Sequence, residues 1–416
     1  MLTQRYFSYF CSFLSFGCGC KFFPYIWDGK ECRLKKGSAN QWFYFSIHRT
    51  VIVTMLTFSG FRLAQAFTRP GFPLLLKILN IAWVGGYTLA LVAFYQWDVN
   101  EKEIMQFGNY LLNYADPANK EKREEEKAAK NRGAKAKRKL ALPPEEENLQ
   151  ATLRKEEQRE ERSLGLHLLF GLLLFLGNPG VHTTLVNETP CAPHFTSSLA
   201  FPCLGYSATG VPFLHKVPFI VIEYYLICTM FISITFNWAM VYLGMSWVLK
   251  EINHFRRDLK HFSSGPEVVE FRGVEVIVSL VNNGFRPYLA SFPSLLFFMV
   301  SSLVFGVVRL WHTAPLANLM FPLCSTECLY DAVTPLAVAG DISFKTRELN
   351  LSWRSSVASM KGVSRREKKM LMLHAESYNG VRVTSGHFFT FENTIVLVCM
   401  HNCIQLTLNM LVTFNA

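Results

Sequence analysis

The sequence predicts an all-α membrane protein with seven transmembrane helices, a cytoplasmic amino terminus and an extracellular carboxyl terminus. Of the 416 residues, 50% are hydrophobic and only 18% are charged, whereas about a quarter of a typical soluble protein is charged. The charge is also concentrated, because residues 97–163 hold 15 Lys/Arg and 15 Asp/Glu. The remainder contains long, almost uncharged runs near the roughly 20 residues that cross a bilayer core. This composition excludes a soluble enzyme, a disulfide-stapled miniprotein and a disordered regulator.

Seven runs qualify as spans, and the sixth is the least apolar of them. It contains three prolines together with Glu327 and Asp331, which are costly in lipid, so a re-entrant segment is the alternative for it. The spans are predicted at 43–67, 73–96, 164–185, 217–249, 287–311, 314–339 and 387–414. The predicted organisation is a cytoplasmic segment 1–42, spans 1–2 in 43–96, a charged cytoplasmic insert 97–163, spans 3–4 in 164–249, a cytoplasmic loop 250–286, spans 5–6 in 287–339, a cytoplasmic loop 340–386 and span 7 in 387–416.

The distribution of basic residues predicts the orientation. Cytoplasmic loops are enriched in Lys and Arg, and with seven spans 37 of these residues fall on the amino-terminal side and 5 on the other. The net charge of +11 is therefore attributed to this bias and not to nucleic-acid binding. The eleven cysteines include no CxxC pair, so neither a metal site nor a cofactor is predicted.

The loop between spans 3 and 4 is expected to lie outside the cell. Asn187-Glu188-Thr189 is a candidate glycosylation site. Cys191 and Cys203 share this loop and are a candidate disulfide. Cys324 and Cys328, in span 6, are predicted to be free thiols.

Two cytoplasmic segments each have two interpretations. In the insert, residues 117–162 mix Lys, Glu and Ala, which favours solvated helical pieces that act as a linker. The alternative is a basic clamp at 134–139 that contacts anionic lipid or calmodulin. The first residues are interpreted as an amphipathic segment on the membrane, with a signal peptide as the alternative.

No pattern in the chain indicates catalysis, and the protein is predicted not to be an enzyme. Inspection of the sequence identifies no GxSxG elbow, Walker loop, HExxH zinc pair or paired intramembrane carboxylates.

Span 7 carries a polar stripe at helical spacing. The stripe consists of Asn402, Gln405, Asn409 and Thr413, and such a stripe must face protein or water. It is either a seam against another span or the lining of a water-filled pore in an oligomer. Glu392 either adds negative charge at the pore mouth or stabilises the start of the helix.

Aromatic and polar residues in the outer halves of spans 2, 3, 4 and 6 suit a small-molecule pocket. For each one alone, the membrane-interface belt or an ordinary core position is the alternative. The pocket candidates are Trp83, Asn178, His182, Glu223, Tyr224, Tyr225 and Asn318.

The arrangement of the predicted spans and the last residues of the sequence together resemble the insect gustatory and odorant receptor superfamily. Gustatory members typically end in Thr-Tyr, a short apolar run and Gln-Phe; here the spacing and Phe414 agree, while Leu406-Thr407 and Thr413 replace the other positions. Residues 383–393 are similar to the stretch that opens the last span of that family, and residues 16–25 are similar to its early glycine and proline. The charged insert is longer than the corresponding loop of the family.

The resemblance implies a ligand-gated, non-selective cation channel in the plasma membrane. It implies homo- or hetero-tetramers, formed with itself or with related subunits, in which the last helices line one pore. The implied partners are a small-molecule tastant or odorant and membrane lipid, with the pocket in the outer halves of spans 2, 3, 4 and 6. A secondary transporter, a G-protein-coupled receptor and a membrane scaffold are the alternatives.

Overall fold

The structure, a computed structural model, is dominated by long helices. It describes residues 2, 4–69, 71–116, 144–201, 211–257, 265–312, 315–359, 364–377, 380–386 and 389–413. The helices in these residues are α1 (Gln4–Gly19), α2 (Ala39–Thr68), α3 (Leu74–Val99), α4 (Glu101–Ala115), α5 (Pro144–Glu188), α6 (Phe213–Arg257), α7 (Gly265–Gly284), α8 (Arg286–Leu310), α9 (Pro315–Ser359), α10 (Arg365–Ser377) and α11 (Ile395–Thr413).

Two small antiparallel hairpins accompany the helices and were not expected from the sequence. The first pairs β1 (Tyr25–Asp28) with β2 (Arg33–Lys36), and the second pairs β3 (Thr384–Ser385) with β4 (Phe389–Thr390). A short 3₁₀ turn covers Thr196–Leu199.

Among the described residues, six helices are long and apolar enough to cross a membrane: α2, α3, α5, α6, α8 and α11. The chain is therefore a multi-pass, all-α membrane protein, as predicted. The sixth predicted span lies within α9, which does not reach the same apolarity because it contains Glu327, Asp331 and Asp341. However, α9 packs against α6 and α8, and it buries Glu327 and Asp331 inside the protein. The count of seven spans and the orientation of the termini stay predictions.

Several helices continue beyond the predicted spans. The predicted loop 340–386 contains about the last five turns of α9 and all of α10, and the predicted loop 250–286 contains α7. In the charged insert, α4 and the start of α5 are helical, and residues 117–143, with the 134–139 basic stretch, lie outside the described residues. Apolar faces explain these helices, since α4 packs against α7 and β2.

The first hairpin is joined to α4 by one side chain. The Asn109 amide accepts a hydrogen bond from the Leu34 N–H at 2.6 Å and donates to the Leu34 carbonyl at 2.9 Å, as a neighbouring strand would. Within the hairpin, the Lys35 ammonium lies 2.6 Å from Asp28, and this hydrogen bond lowers the pKa of Asp28 to about 2. The amino-terminal segment is thus attached to the helical body.

A buried polar cluster connects three of the membrane helices. The Gln96 side chain of α3 donates to Asn237 Oδ1 of α6 at 2.6 Å and accepts from the Tyr288 N–H of α8 at 3.2 Å. All three residues are buried. Tyr288 lies in the first turn of α8, where backbone N–H groups have no partner within the helix. Gln96 therefore satisfies the start of one helix and joins it to two others.

Next to this cluster, α3 also holds the end of α7. The Asn100 side chain donates to the carbonyl groups of Asn283 and Gly284, at 3.0 and 3.1 Å. These carbonyls belong to the last turn of α7, where helical partners are missing. The short connection between α7 and α8 is consequently fixed from both sides by the end of α3.

Replacing Asn237 by Ala should destabilise the protein by about 1–3 kcal/mol, because Gln96 Nε2 would be left buried without an acceptor. The measurement is the midpoint of thermal unfolding of the purified full-length protein in detergent. Asn283→Ala is the matched control, since the Asn283 side chain is exposed and bonds only to Ser279. An equal loss of stability in both variants would contradict the importance of the cluster.

Candidate functional site

A mostly apolar cavity lies between four of the candidate membrane helices and α9. Its volume is about 70 Å³, so without a movement of its walls it holds only a small ligand. Residues of α3, α5, α6, α8 and α9 surround it: Leu79, Ala82, Trp83, Gly86, Leu89, His182, Met230, Phe231, Ile234, Leu296, Met299, Leu303, Phe321, Cys324, Glu327, Cys328 and Asp331.

Glycine allows two helices to approach closely beside this cavity. A Cβ on Gly86 of α3 would lie 2.8 Å from the sulfur of Met230, and one on Gly85 would lie 2.6 Å from that of Met299. The two methionines therefore lie directly against the backbone of α3. Since methionine side chains are flexible and polarisable, this part of the wall can adapt to ligands of different shapes.

Trp83 is the central ring of the outer part of the site. Its ring centroid lies 4.8 Å from that of His182, edge to face, and 5.6 Å from that of His194, nearly parallel. His194 belongs to the segment 189–201 that connects α5 towards α6. Trp83 thus touches the cavity on one side and this connecting segment on the other.

Glu223 of α6 holds the connecting segment in place. Its Oε1 accepts hydrogen bonds from the Thr196 N–H at 2.7 Å and from the Thr196 hydroxyl at 2.8 Å. Arg62 of α2 also donates to the Pro193 carbonyl at 3.1 Å. Cys191, in the same segment, is disulfide-bonded, while Cys203 lies outside the described residues, so their pairing stays a prediction.

Two buried acids mark the inner wall of the cavity. Glu327 and Asp331 lie four residues apart on α9, and only 4% and 3% of their surfaces are exposed. Asn178 of α5 donates a hydrogen bond to Glu327 Oε2. Glu327 Oε1, Asp331 Oδ1 and His182 Nδ1 have no hydrogen-bond partner among the described residues.

The structure brings three of the seven predicted pocket residues to the cavity. Trp83 and His182 line it, and Asn178 bonds to one of its acids. Glu223 supports the connecting segment instead. Of the remaining candidates, Tyr224 is 49% exposed.

Tyr225 and Asn318 also have other contacts. The Tyr225 hydroxyl lies 2.8 Å from His48 Nδ1 of α2, and the Asn318 side chain donates to the Trp311 carbonyl at 2.6 Å. Asn187, the glycosylation candidate, is half-buried near the end of α5, with its amide donating to Glu188 at 3.1 Å. Cys324 and Cys328 are free thiols, as predicted.

Sequence reasoning did not place Glu327 and Asp331 in the site. They were noticed only as obstacles to membrane crossing, although two acids four residues apart in a span share one helix face and face the protein interior. The four-residue spacing of these acids could therefore have identified them as residues that face a cavity. The methionines and Phe231 on the opposite wall carry no comparable signal, because apolar residues in a membrane helix are ordinary.

Helix α11 is held to the rest of the chain by one narrow face. Cys403 and Thr407 are its buried residues. The Thr407 hydroxyl donates a hydrogen bond to the Cys403 carbonyl at 2.8 Å. The same carbonyl accepts a second hydrogen bond, at 3.3 Å, from the Ser301 hydroxyl of α8. The four predicted stripe residues Asn402, Gln405, Asn409 and Thr413 are all exposed in the single chain.

The apolar part of α11 is also the least buried of the six candidate spans. Only 11% of it is buried within the chain, against 22–61% for the other five. Glu392 precedes the helix and is exposed, and its carbonyl accepts from the Ile395 N–H at 3.0 Å.

The fold is shared with solved insect receptors. The chain superimposes on the structure of the insect olfactory receptor OR5 from Machilis hrabei with a TM-score of 0.65 and 12% identity, over 98% of each chain. The structure of the same receptor in complex with eugenol gives a TM-score of 0.64 and 12% identity, over 99% of this chain and 98% of that chain. No family model matches the chain, and no curated protein matches it. The likeness establishes the fold, and it agrees with the resemblance to the insect chemoreceptor superfamily drawn from the tail.

His194 makes the stability of this region dependent on pH. Its burial lowers the pKa of its imidazole from the usual 6.5 to about 3, so the ring is neutral in the folded protein and protonated in the unfolded chain at acid pH. The unfolded state then binds more protons, and stability falls as the pH drops from about 6.5 towards 3. The midpoint of thermal unfolding should therefore decrease between pH 7.5 and pH 5.

His194→Phe should make that decrease smaller. Neither ring nitrogen of His194 has a hydrogen-bond partner among the described residues, so a phenyl ring loses no bond. His215→Phe is a control, because His215 is exposed. If both variants keep the full pH dependence, other groups cause it.

Proposed function

We propose that the protein is a chemosensory receptor of the insect gustatory and odorant type, acting as a ligand-gated, non-selective cation channel. The observation that carries this proposal is the exposed polar stripe on α11. Its amide side chains are unsuited to lipid, and the chain itself does not cover them. If several copies of the chain surround a water-filled axis, water on that axis can hydrogen-bond to these side chains.

The geometry of α11 supports this arrangement. Cys403 and Thr407 hold the helix to α8, and the stripe at Asn402, Gln405, Asn409 and Thr413 lies on a different face. The remaining exposed face is mostly apolar, with Leu397, Leu408 and Val412, and it also carries the exposed His401. The helix can thus contact its own chain, neighbouring subunits and water simultaneously. A tetramer, formed with itself or with related subunits in the plasma membrane, is the assembly that the family resemblance implies.

The cavity is the proposed ligand site. It lies between helices that correspond to spans 2, 3, 4, 5 and 6, and its walls are apolar with a few polar groups, as in small-molecule sites generally. A solved receptor of the same fold has been obtained with eugenol. In our proposal a tastant or odorant binds the cavity, has higher affinity for the open state, and so shifts the equilibrium towards conduction.

Contact between the cavity and the pore helix passes through α8. Leu296 and Met299 of α8 line the cavity, and Ser301, a few residues further, contacts α11. A displacement of α8 by ligand would therefore move the helix on which α11 rests. Helix α8 therefore connects the proposed ligand site to the proposed pore.

Substitutions in the polar stripe should change conduction while leaving ligand binding intact. Gln405→Glu adds charge facing the proposed pore, so cation currents should rise relative to anion currents, by the attraction that charged rings exert in selective pores. The measurement is the reversal potential under ionic gradients, in cells that express the full chain with candidate ligands.

Asn40→Asp serves as a control that adds the same charge, because Asn40 is exposed at the start of α2, before the predicted span 43–67. Unchanged reversal potentials in Gln405→Glu, Asn409→Asp and the control alike would contradict the assignment of the stripe to a pore. Saturable substrate uptake without unitary currents would instead favour a transporter.

The predicted orientation is tested by a tag at the carboxyl terminus. With seven spans and a cytoplasmic amino terminus, the tag should be reached by antibody on intact cells, because basic residues keep the opposite loops inside. Staining only after permeabilisation would mean that α9 does not cross or that the whole orientation is reversed. A tag at the amino terminus distinguishes these two cases.

A further inference from the structure

Resting on the function proposed above, we propose that the natural ligand is a small organic amine, whose protonated nitrogen binds between Glu327 and Asp331 while its apolar body fills the cavity. The argument begins with the charge of the cavity wall. Two carboxyl groups face a site that is otherwise nearly all apolar. Among the described residues, the lining includes no Lys or Arg, and neither acid forms an ion pair within that part of the chain.

The acids are not satisfied by their own surroundings. Asn178 donates to one oxygen of Glu327, but Glu327 Oε1 and Asp331 Oδ1 are buried without a hydrogen-bond partner in the described structure. A buried polar atom left unpaired is costly, and more so when it carries charge. A ligand that brings positive charge and N–H donors removes this cost for both atoms.

An ammonium group fits the spacing of the two acids. Residues four apart lie on the same face of a helix, so Glu327 and Asp331 present their carboxyl groups to one side of α9. A primary ammonium has three N–H donors and can donate to both Glu327 Oε1 and Asp331 Oδ1. Charge-assisted hydrogen bonds of this kind are among the stronger ones in proteins.

A third group lies on the same cavity and belongs to another helix. His182 of α5 is 8% exposed, and its Nδ1 also has no hydrogen-bond partner among the described residues. A polar substituent on the ligand could use it. This independent, unpaired nitrogen shows that the cavity offers polar contacts from two walls and is not merely an acidic patch on one helix.

The rest of the lining suits the apolar part of an amine. Trp83, Phe231 and Phe321 contribute aromatic rings, which attract cations as well as apolar groups. A metal ion is the other kind of cation to consider. The described residues contain no group of three His, Cys, Asp or Glu side chains arranged to hold a metal, so the organic cation is the better occupant.

The test compares amines with alcohols of the same shape. The purified full-length protein is titrated with pairs of an amine and the alcohol of the same shape, from ethylamine and ethanol through butylamine and butanol to phenethylamine and phenethyl alcohol, because the cavity is small. Binding is followed by ligand-induced thermal stabilisation. We expect the amine of at least one pair to bind about 10- to 100-fold more tightly than its alcohol, as expected for hydrogen bonds to charged groups. Equal affinity for amine and alcohol in every pair would overturn the proposal.

Substitutions of the two acids test whether the amine binds between them. Glu327→Gln and Asp331→Asn should each remove most of the preference for the amine while keeping the affinity for the alcohol, because shape is conserved and charge is lost. Asp341→Asn is the matched control, since Asp341 lies on the same helix but is exposed. Retained binding of the alcohol shows that a variant is folded. If both acid variants keep the full preference, the amine binds elsewhere and the assignment is wrong.

Binding and current measurements test the amine assignment and the channel function separately. Amine preference without ligand-evoked currents would support the cavity assignment and contradict the channel. Currents evoked equally by amines and alcohols would support the receptor and contradict the amine assignment.

Discussion

The buried amide of Gln96 is the interaction on which the arrangement of the membrane helices depends. In a membrane interior, an unpaired polar group has no water to bond with, so the three partners Gln96, Asn237 and Tyr288 restrict one another to a single geometry. Apolar packing alone specifies helix orientation less sharply, because lipid and side chains are similarly apolar. By fixing α3, α6 and α8 together, the cluster also fixes three of the five walls of the cavity.

The cavity and α11 differ in how far this chain alone covers their polar groups. The cavity is lined by five helices of this chain but is not sealed, and three of its polar atoms lack partners among the described residues. Helix α11 has its polar stripe on an open surface and contacts α8 and α9. In the function proposed above, a small molecule would occupy the cavity and further protein or water would cover the stripe, and α8 contacts both.

The sequence predicts the membrane helices well because the property that places them is local. Uncharged runs of about 20 residues and the 3.6-residue period are visible along the chain, and six of the seven predicted spans correspond to helices of suitable length and apolarity. The start of span 7 at 387 is wrong, because β4 occupies Phe389–Thr390 and α11 begins at Ile395. The stripe at Asn402 and Gln405 follows from the same period. Only the assembly it belongs to required a family resemblance.

The rest could not be predicted because it depends on which residues meet across the fold. Glu223 was expected to face a ligand, but its partner is Thr196, in a segment whose path the sequence does not specify. The first hairpin is joined to α4 by Asn109, 75 residues along the chain from Leu34. Asp28-Gly29 is a turn signal in its loop, but its strands are only four residues long and carry little information of their own. Glu327 and Asp331 are visible in the sequence, but only the fold shows that they share a cavity with His182 and Trp83.

Trp83 couples the connecting segment to the shape of the cavity. Because its ring lies between His182 of the cavity and His194 of segment 189–201, a substitution in that segment can tilt the ring and reshape the cavity without replacing any lining residue. If the cavity is the ligand site proposed above, changes in the connecting segment alter the range of ligands while the helices that build the cavity keep their sequence.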